Sequence, residues 1–209
     1  MTLIIMLDFY RILWYNLVMK RLYHISKTEG LEHLEPRVST HGKPLVYATS
    51  NLELGLLFGA KGHGDLDGVY GVDSDQVPFF YEAYPNAFED RYKGSTCYIY
   101  EVDGTNFKGG QTSFSAEEVC DKRARVLSCK KIEDLHSHLL RLAESGKLRL
   151  KTYSTDINYQ AMIEKHIKDR VVRFGIINDA TSNNYRFCEE KFPRYMQDFN
   201  GRTITKRQR

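Results

Sequence analysis

Apolar residues along this chain fall into short runs up to about residue 130 and recur at helical spacing after it. Short apolar and aromatic runs bounded by polar clusters predict strands over 20–26, 44–49, 77–83 and 96–102. Further strands are expected around Ser113 and Phe114 and over 119–127. Residues 29–36 read as a short turn or helix ending at Pro36. Ser50 or Asn51 caps a helix with Glu53 in its first turn and Leu52, Leu56 and Phe58 as its buried side. Ile132, Leu135, Leu139 and Leu142 share one face of a helix over 132–146 that Gly146 stops. Leu148 and Leu150 alternate with Lys147, Arg149 and Lys151, the pattern of a half-exposed strand. Tyr159, Met162, Ile163, Ile167 and Val171 mark a second amphipathic helix, and a last one near 187–199 is interrupted at Pro193. Residues 59–76 are rich in Gly and Asp and read as a loop with one short strand near Val69 and Tyr70, either a lid or a plain connector. Short strands with interspersed helices give the class α+β rather than a doubly wound sheet.

The length of 209 residues suits one domain with an appendage and can bury a core without metals or crosslinks. A net charge of +3 is too small to argue for nucleic acid, and much of the excess sits in the tail from Arg202 to Arg209. Cys97, Cys120, Cys129 and Cys188 form no CxxC pair and no zinc spacing. They read as reduced, mostly buried thiols, which points to a cytoplasmic protein. Residues 1–18 are very apolar, but Asp8 and Arg11 interrupt them, so no membrane span is expected where ~20 apolar residues are needed. They also lack the basic start and small-residue end of a secretory signal. Met19 is the preferred start, with 1–18 an extension or a docking helix.

Three segments carry the candidate chemistry: Tyr23-His24-Ile25-Ser26, Leu45-Val46-Tyr47-Ala48 and Glu117-Glu118-Val119. Each reads as a strand or strand end with one polar group free to face a cleft. Alternation puts Glu117 and Glu118 on opposite faces, so only one enters, and Glu117 is preferred with Glu118 in reserve. The rival reading takes Ser115 and Glu118 as a capping box that starts a helix. His63 with Asp65 and Asp67 could bind a cation, but a Gly/Asp loop is usually just solvated, and no metal is assigned to the site. His136 and His138 lie two apart on a helix and diverge.

The ordered set resembles the H-Y-E motif of ADP-ribosyltransferases of the diphtheria-toxin and poly(ADP-ribose) polymerase type. The resemblance covers about residues 20–153, with matches only in the three motifs, and it includes a helix directly after the Tyr strand and Val126 nine residues after Glu117. It implies a split β-sandwich of two small sheets with flanking helices over 19–153, followed by a helical appendage over 154–209. It implies NAD as substrate, with His24, Ser26, Tyr23 and Tyr47 holding it and with Glu117, Glu118 and Tyr47 serving the reaction. His24, neutral, would bond the adenosine-side ribose and Tyr47 would stack on nicotinamide. Glu117 would bond a ribose 2′-hydroxyl and stabilise the developing cation.

The form is H-I-S rather than H-G-[ST], and Gln111 lies six residues before Glu117, so the Q-x-E pair of protein-modifying toxins is missing. The acceptor, whether protein, nucleic acid or small molecule, stays open. The leading expectation is transfer of ADP-ribose from NAD, or NAD glycohydrolysis. One alternative is a silent nucleotide- or protein-binding domain of the same fold. Another is an RNA 2′-phosphate-processing transferase, with Arg37, Arg123 and Arg125 as candidate phosphate contacts.

Overall fold

The computed structural model describes residues 20–38, 42–112 and 115–199. The expectations for the N-terminal segment, the strand around Ser113 and Phe114, and the basic tail lie outside the described residues. From the amino end, β1 (Arg21–Ser26), β2 (His33–Leu34), β3 (Arg37–Val38) and β4 (Pro44–Ala48) precede helix α1 (Leu52–Leu56). β5 (Gly68–Val72), β6 (Pro78–Glu82), α2 (Ala87–Tyr92) and β7 (Cys97–Asp103) follow. β8 (Lys108–Gly109) and β9 (Glu118–Cys120) lead to β10 (Ala124–Ile132). Then come α3 (Leu135–Glu144), β11 (Arg149–Lys151), α4 (Ile157–Arg173), α5 (Asn183–Lys191) and α6 (Pro193–Gln197). The class is mixed α+β.

The chain groups into two compact units. One takes the described residues up to Gly59 together with Thr96–Glu133; the other takes Ala60–Ser95 and the described residues from Asp134 onward. This grouping does not follow the linear division at 153/154.

The first unit holds two sheets, ordered β1-β7-β10-β2 and β3-β4-β9-β8. β1 runs antiparallel to β7 with Leu22 opposite Val102, His24 opposite Tyr100 and Ser26 opposite Tyr98. Residues paired in this way share a face, so Leu22, His24 and Ser26 lie on the side that carries Val102, Tyr100 and Tyr98. The core of this unit draws Leu22, Tyr98, Tyr100 and Val102 from the first sheet and Val46, Ala48 and Cys120 from the second.

Helix α1 forms because the Asn51 side chain accepts the Leu54 amide at 2.9 Å, satisfying one of the donors left open at a helix start. Its buried residues are Leu54, Gly55 and Leu56, with Leu57 buried just beyond. Phe58, expected on the buried side, is 44% exposed. A helix this short turns only about one and a half times, and Phe58 lies past its end.

Two other expectations need correction. Residues 29–36 form no helix; within them β2 pairs with Ala124 and Arg125 of β10. The strand expected over 119–127 is two strands, β9 and β10, parted by the exposed triplet Asp121, Lys122 and Arg123.

The second unit holds the sheet β11-β6-β5, in which β11 is parallel and β5 antiparallel to β6. Its core centres on α4, whose Tyr159, Ile163, Ile167 and Val171 are all buried at 3% exposure or less. That stripe packs with Tyr84, Phe187, Phe192 and Met196. Each such side chain contributes roughly 1.5–3 kcal/mol on burial. Asp156 starts α4 by accepting the Asn158 and Tyr159 amides at 3.0 Å each. Gly175, at φ +63°, ends it in the left-handed region, where a side chain is strained. Pro193 opens α6 after α5 ends at Lys191, matching the expected interruption. No described helix is long and apolar enough to cross a membrane. Cys97, Cys120 and Cys188 are buried free thiols, and Cys129 is an exposed one.

Candidate functional site

β1, β4 and β9, the strands that carry the three motifs, are neighbours. Val46, Tyr47 and Ala48 of β4 pair with Cys120, Val119 and Glu118 of β9. Among the described residues, β1 meets the end of β4 through one bridge, in which Tyr23 and Thr49, the residue after β4, exchange main-chain bonds of 2.8 and 3.0 Å. In a continued antiparallel ladder the Ile25 amide would next donate to the Tyr47 carbonyl. Instead His24 Nδ1 donates to that carbonyl at 2.8 Å. An imidazole stands in for a main-chain donor, and the ladder between the strands stops there. The alternation of the ladder turns the Ile25 N–H and C=O toward this split.

The bond fixes the tautomer of His24. Only an N–H can serve the Tyr47 carbonyl, so in the neutral ring Nε2 keeps a lone pair and is an acceptor. Burial lowers the His24 pKa below 6.5. The Tyr47 carbonyl pulls it up by less, and the Arg37 guanidinium pushes it further down. The ring is therefore neutral at pH ~7.

Tyr47 and Val119 are a pair, so their side chains share a face. Glu117 lies two residues before Val119, and strand alternation carried back to it assigns it the same face as Tyr47. Glu118 is paired with Ala48 on the opposite face, and its carboxylate is bound by the Lys20 ammonium. The stretch from Ser115 starts no helix: Ser115 and Ala116 lie in a turn and Glu118 opens β9. The capping-box reading is thereby overturned, because the Glu118 side chain pairs with Lys20 rather than closing a helical turn.

His24 lies on the core-side face of β1 and Tyr47 on the other face of β4. What joins them is imidazole to main-chain carbonyl, not ring to ring. Tyr23 is half-buried and anchors the bridge to Thr49 through its backbone. Ser26 Oγ accepts the Thr28 amide at 3.1 Å, which shapes the turn that leaves β1. Arg37 is opposite Leu45, two residues before Tyr47, and so shares its face; Lys108, opposite Val119, shares it too. Arg123 is held by Glu35 at 2.8 Å.

Sequence reasoning missed Ile25, whose contribution is main chain, and Thr49, whose backbone closes the bridge. Neither has a side-chain signature, and only the strand order reveals them. It also missed Tyr100, opposite His24, whose hydroxyl donates to the Thr28 carbonyl at 2.7 Å and accepts the Leu31 amide at 3.2 Å.

The acids of the Gly/Asp loop are engaged by arginines. His63 stacks on Phe187 at 3.7 Å between ring centroids. Asp65 pairs with Arg170 at 2.7 Å, and Asp67 pairs with Arg91 at 3.0 Å. Among the described residues no group of three His, Cys, Asp or Glu side chains could hold a metal ion.

No protein-family model, no curated protein and no solved structure matches the chain.

Proposed function

We propose that the chain cleaves the nicotinamide–ribose bond of NAD and passes ADP-ribose to an acceptor or to water. The reading takes the two sheets of the first unit as a split β-sandwich of the ADP-ribosyltransferase kind. The observation that carries it is the split itself, where His24 Nδ1 holds the Tyr47 carbonyl at 2.8 Å and the Glu117 strand end lies beside β4. His24 Nε2 accepts a hydroxyl of the adenosine-side ribose. The Ile25 N–H and C=O offer a donor and an acceptor side by side, which a primary carboxamide such as that of nicotinamide matches. The Tyr47 ring stacks on the cationic nicotinamide. As the glycosidic bond breaks, positive charge grows on the ribose carbon, and the Glu117 carboxylate, bonded to the ribose 2′-hydroxyl, stabilises it. Electrons of the broken bond leave with nicotinamide, and the acceptor oxygen or nitrogen attacks the ribose carbon and releases its proton to solvent.

The RNA 2′-phosphate reading is the runner-up: Arg37, on the face of β4 that carries Tyr47, would meet a phosphate there, as it would the pyrophosphate of NAD.

The test is release of free nicotinamide from NAD by the full chain. Turnover that falls ~10²–10³-fold in Glu117→Gln supports the reading. Turnover unchanged by that substitution, or no turnover and no calorimetric binding of NAD, overturns it. Activity on 2′-phosphorylated RNA in the latter case would favour the runner-up.

A further inference from the structure

A hollow of about 340 Å³ lies within the second unit, on the surface shared by β6, α2, α3 and the segment after β11. Glu82, the last residue of β6, lines it and is 5% exposed. Its two carboxylate oxygens accept the amides of Phe88 and Tyr153, each at 2.9 Å. No cation pairs with it among the described residues. A carboxylate offers about four lone-pair sites, so roughly half of its accepting capacity is left over. The surroundings are largely aromatic and aliphatic, with Glu89 and Thr152 also in the lining. Phe88 and His136 stand with ring centroids 5.3 Å apart, and Tyr153 and Leu140 complete the wall. Asn86, exposed and held at φ +64°, also lines the hollow.

The Glu82 carboxylate is buried and held only by main-chain amides, with no cationic side chain paired to it among the described residues. A buried charge is costly to desolvate and gains most from a cation. Aromatic faces attract the same kind of group, most strongly when it is desolvated. An anion is rejected by Glu82, and a neutral alcohol gains neither effect. The volume admits a charged head with a stem of a few carbons. We infer that this hollow binds a compact organic ammonium on a short apolar stem, with the head on Glu82 and the stem against Phe88, His136 and Leu140. A free amine and the lysine side chain of a protein partner share this chemistry. The inference is independent of NAD cleavage in the first unit.

The amides of Phe88 and Tyr153 donate to Glu82, so their chemical shifts report on it. Butylammonium titrated into the full chain should move both signals saturably in the range of about 1–10 mM. Butanol should bind ~10-fold more weakly or worse, because it lacks the charge. Glu82→Gln should weaken butylammonium by a similar factor. Because that substitution removes a staple, Leu140→Trp provides a second variant that fills the hollow while leaving Glu82 in place; it should abolish the shifts. N-acetyl-lysinamide binding more tightly than butylammonium supports a lysine side chain as the occupant, and the reverse order supports a free amine. Equal binding of butanol and butylammonium, shifts that survive Leu140→Trp, or no saturation with any amine overturns the inference.

Discussion

At the scale of single residues, Glu117 and Glu118 pose the sharpest contrast. They are adjacent in sequence and lie on opposite faces of one strand end. Lys20 occupies the Glu118 carboxylate, whose side chain is 14% exposed. Glu118→Gln should therefore lower nicotinamide release far less than the ~10²–10³-fold expected for Glu117→Gln. Parallel assays of the two variants check this, and equal losses would remove the distinction between the faces.

His24 carries a pH signature. Its folded pKa lies below 6.5 because burial disfavours the charged ring. As pH falls, the unfolded chain takes up the proton first, so stability is full above ~6.5 and is lost below it, down to the folded pKa. His166 adds to the same slope, since burial lowers its pKa by more than its bond to the Asp65 carbonyl raises it. His24→Gln keeps an N–H for the Tyr47 carbonyl but cannot titrate. Urea midpoints at pH ~8 and ~5 should differ less in this variant than in the parent chain. An unchanged difference would mean that His24 is not buried neutral. The residue types of the proposed site were legible in the sequence because imidazole, phenol and carboxylate announce themselves. Ile25 and Thr49 were not, since a backbone group acquires meaning only from the strand beside it.

At the scale of elements, the caps were legible and the pairings were not. Asn51 was one of two candidate caps for α1, and its side chain does accept the Leu54 amide. Asn51→Ala should cost about 1 kcal/mol, read as a lower denaturation midpoint with unchanged slope. A loss within ~0.3 kcal/mol would mean that packing of Leu54 and Leu56 alone holds the turn. Residues 33–34 became a strand through partners some ninety positions away, Ala124 and Arg125. Local propensity carries no trace of such a partner, and a two-residue strand leaves no periodicity to count. The break between β9 and β10 was more accessible, since three charged residues in a row cannot all face a core. The helices α3 and α4 followed from spacing because their buried positions recur four apart, and Leu135, Leu139, Ile163 and Ile167 are fully buried; Ile132, expected on the first of them, instead ends β10, and the helix begins at Leu135.

For the molecule as a whole, grouping by contact cuts across chain order. Residues 60–95 join the C-terminal helices through a core that includes Tyr84, Ala87, Ile163 and Phe187. The Gly/Asp loop from Ala60 onward belongs to this unit and is clamped. Arg91 in α2 donates from Nη1 to the Gly64 carbonyl at 2.7 Å and to Asp67 at 3.0 Å. Both side chains are almost fully buried, 2% and 1% exposed. The guanidinium also lies 5.4 Å from the ring centroids of Tyr70 and Tyr92. Such a clamp argues for a fixed connector rather than a lid. Removing Asp67 alone leaves a guanidinium in the interior with its main counter-charge gone. Asp67→Ala should therefore cost ~3–5 kcal/mol, a large part of the 5–15 kcal/mol that typically holds a domain together. Adding Arg91→Met to that variant should recover part of the loss, because an apolar chain of similar length carries no charge to desolvate. Equilibrium denaturation of the parent, the single variant and the double variant measures both effects. A double variant less stable than Asp67→Ala would show that the Gly64 bond and the two tyrosine rings hold the loop through Arg91 without help from the ion pair.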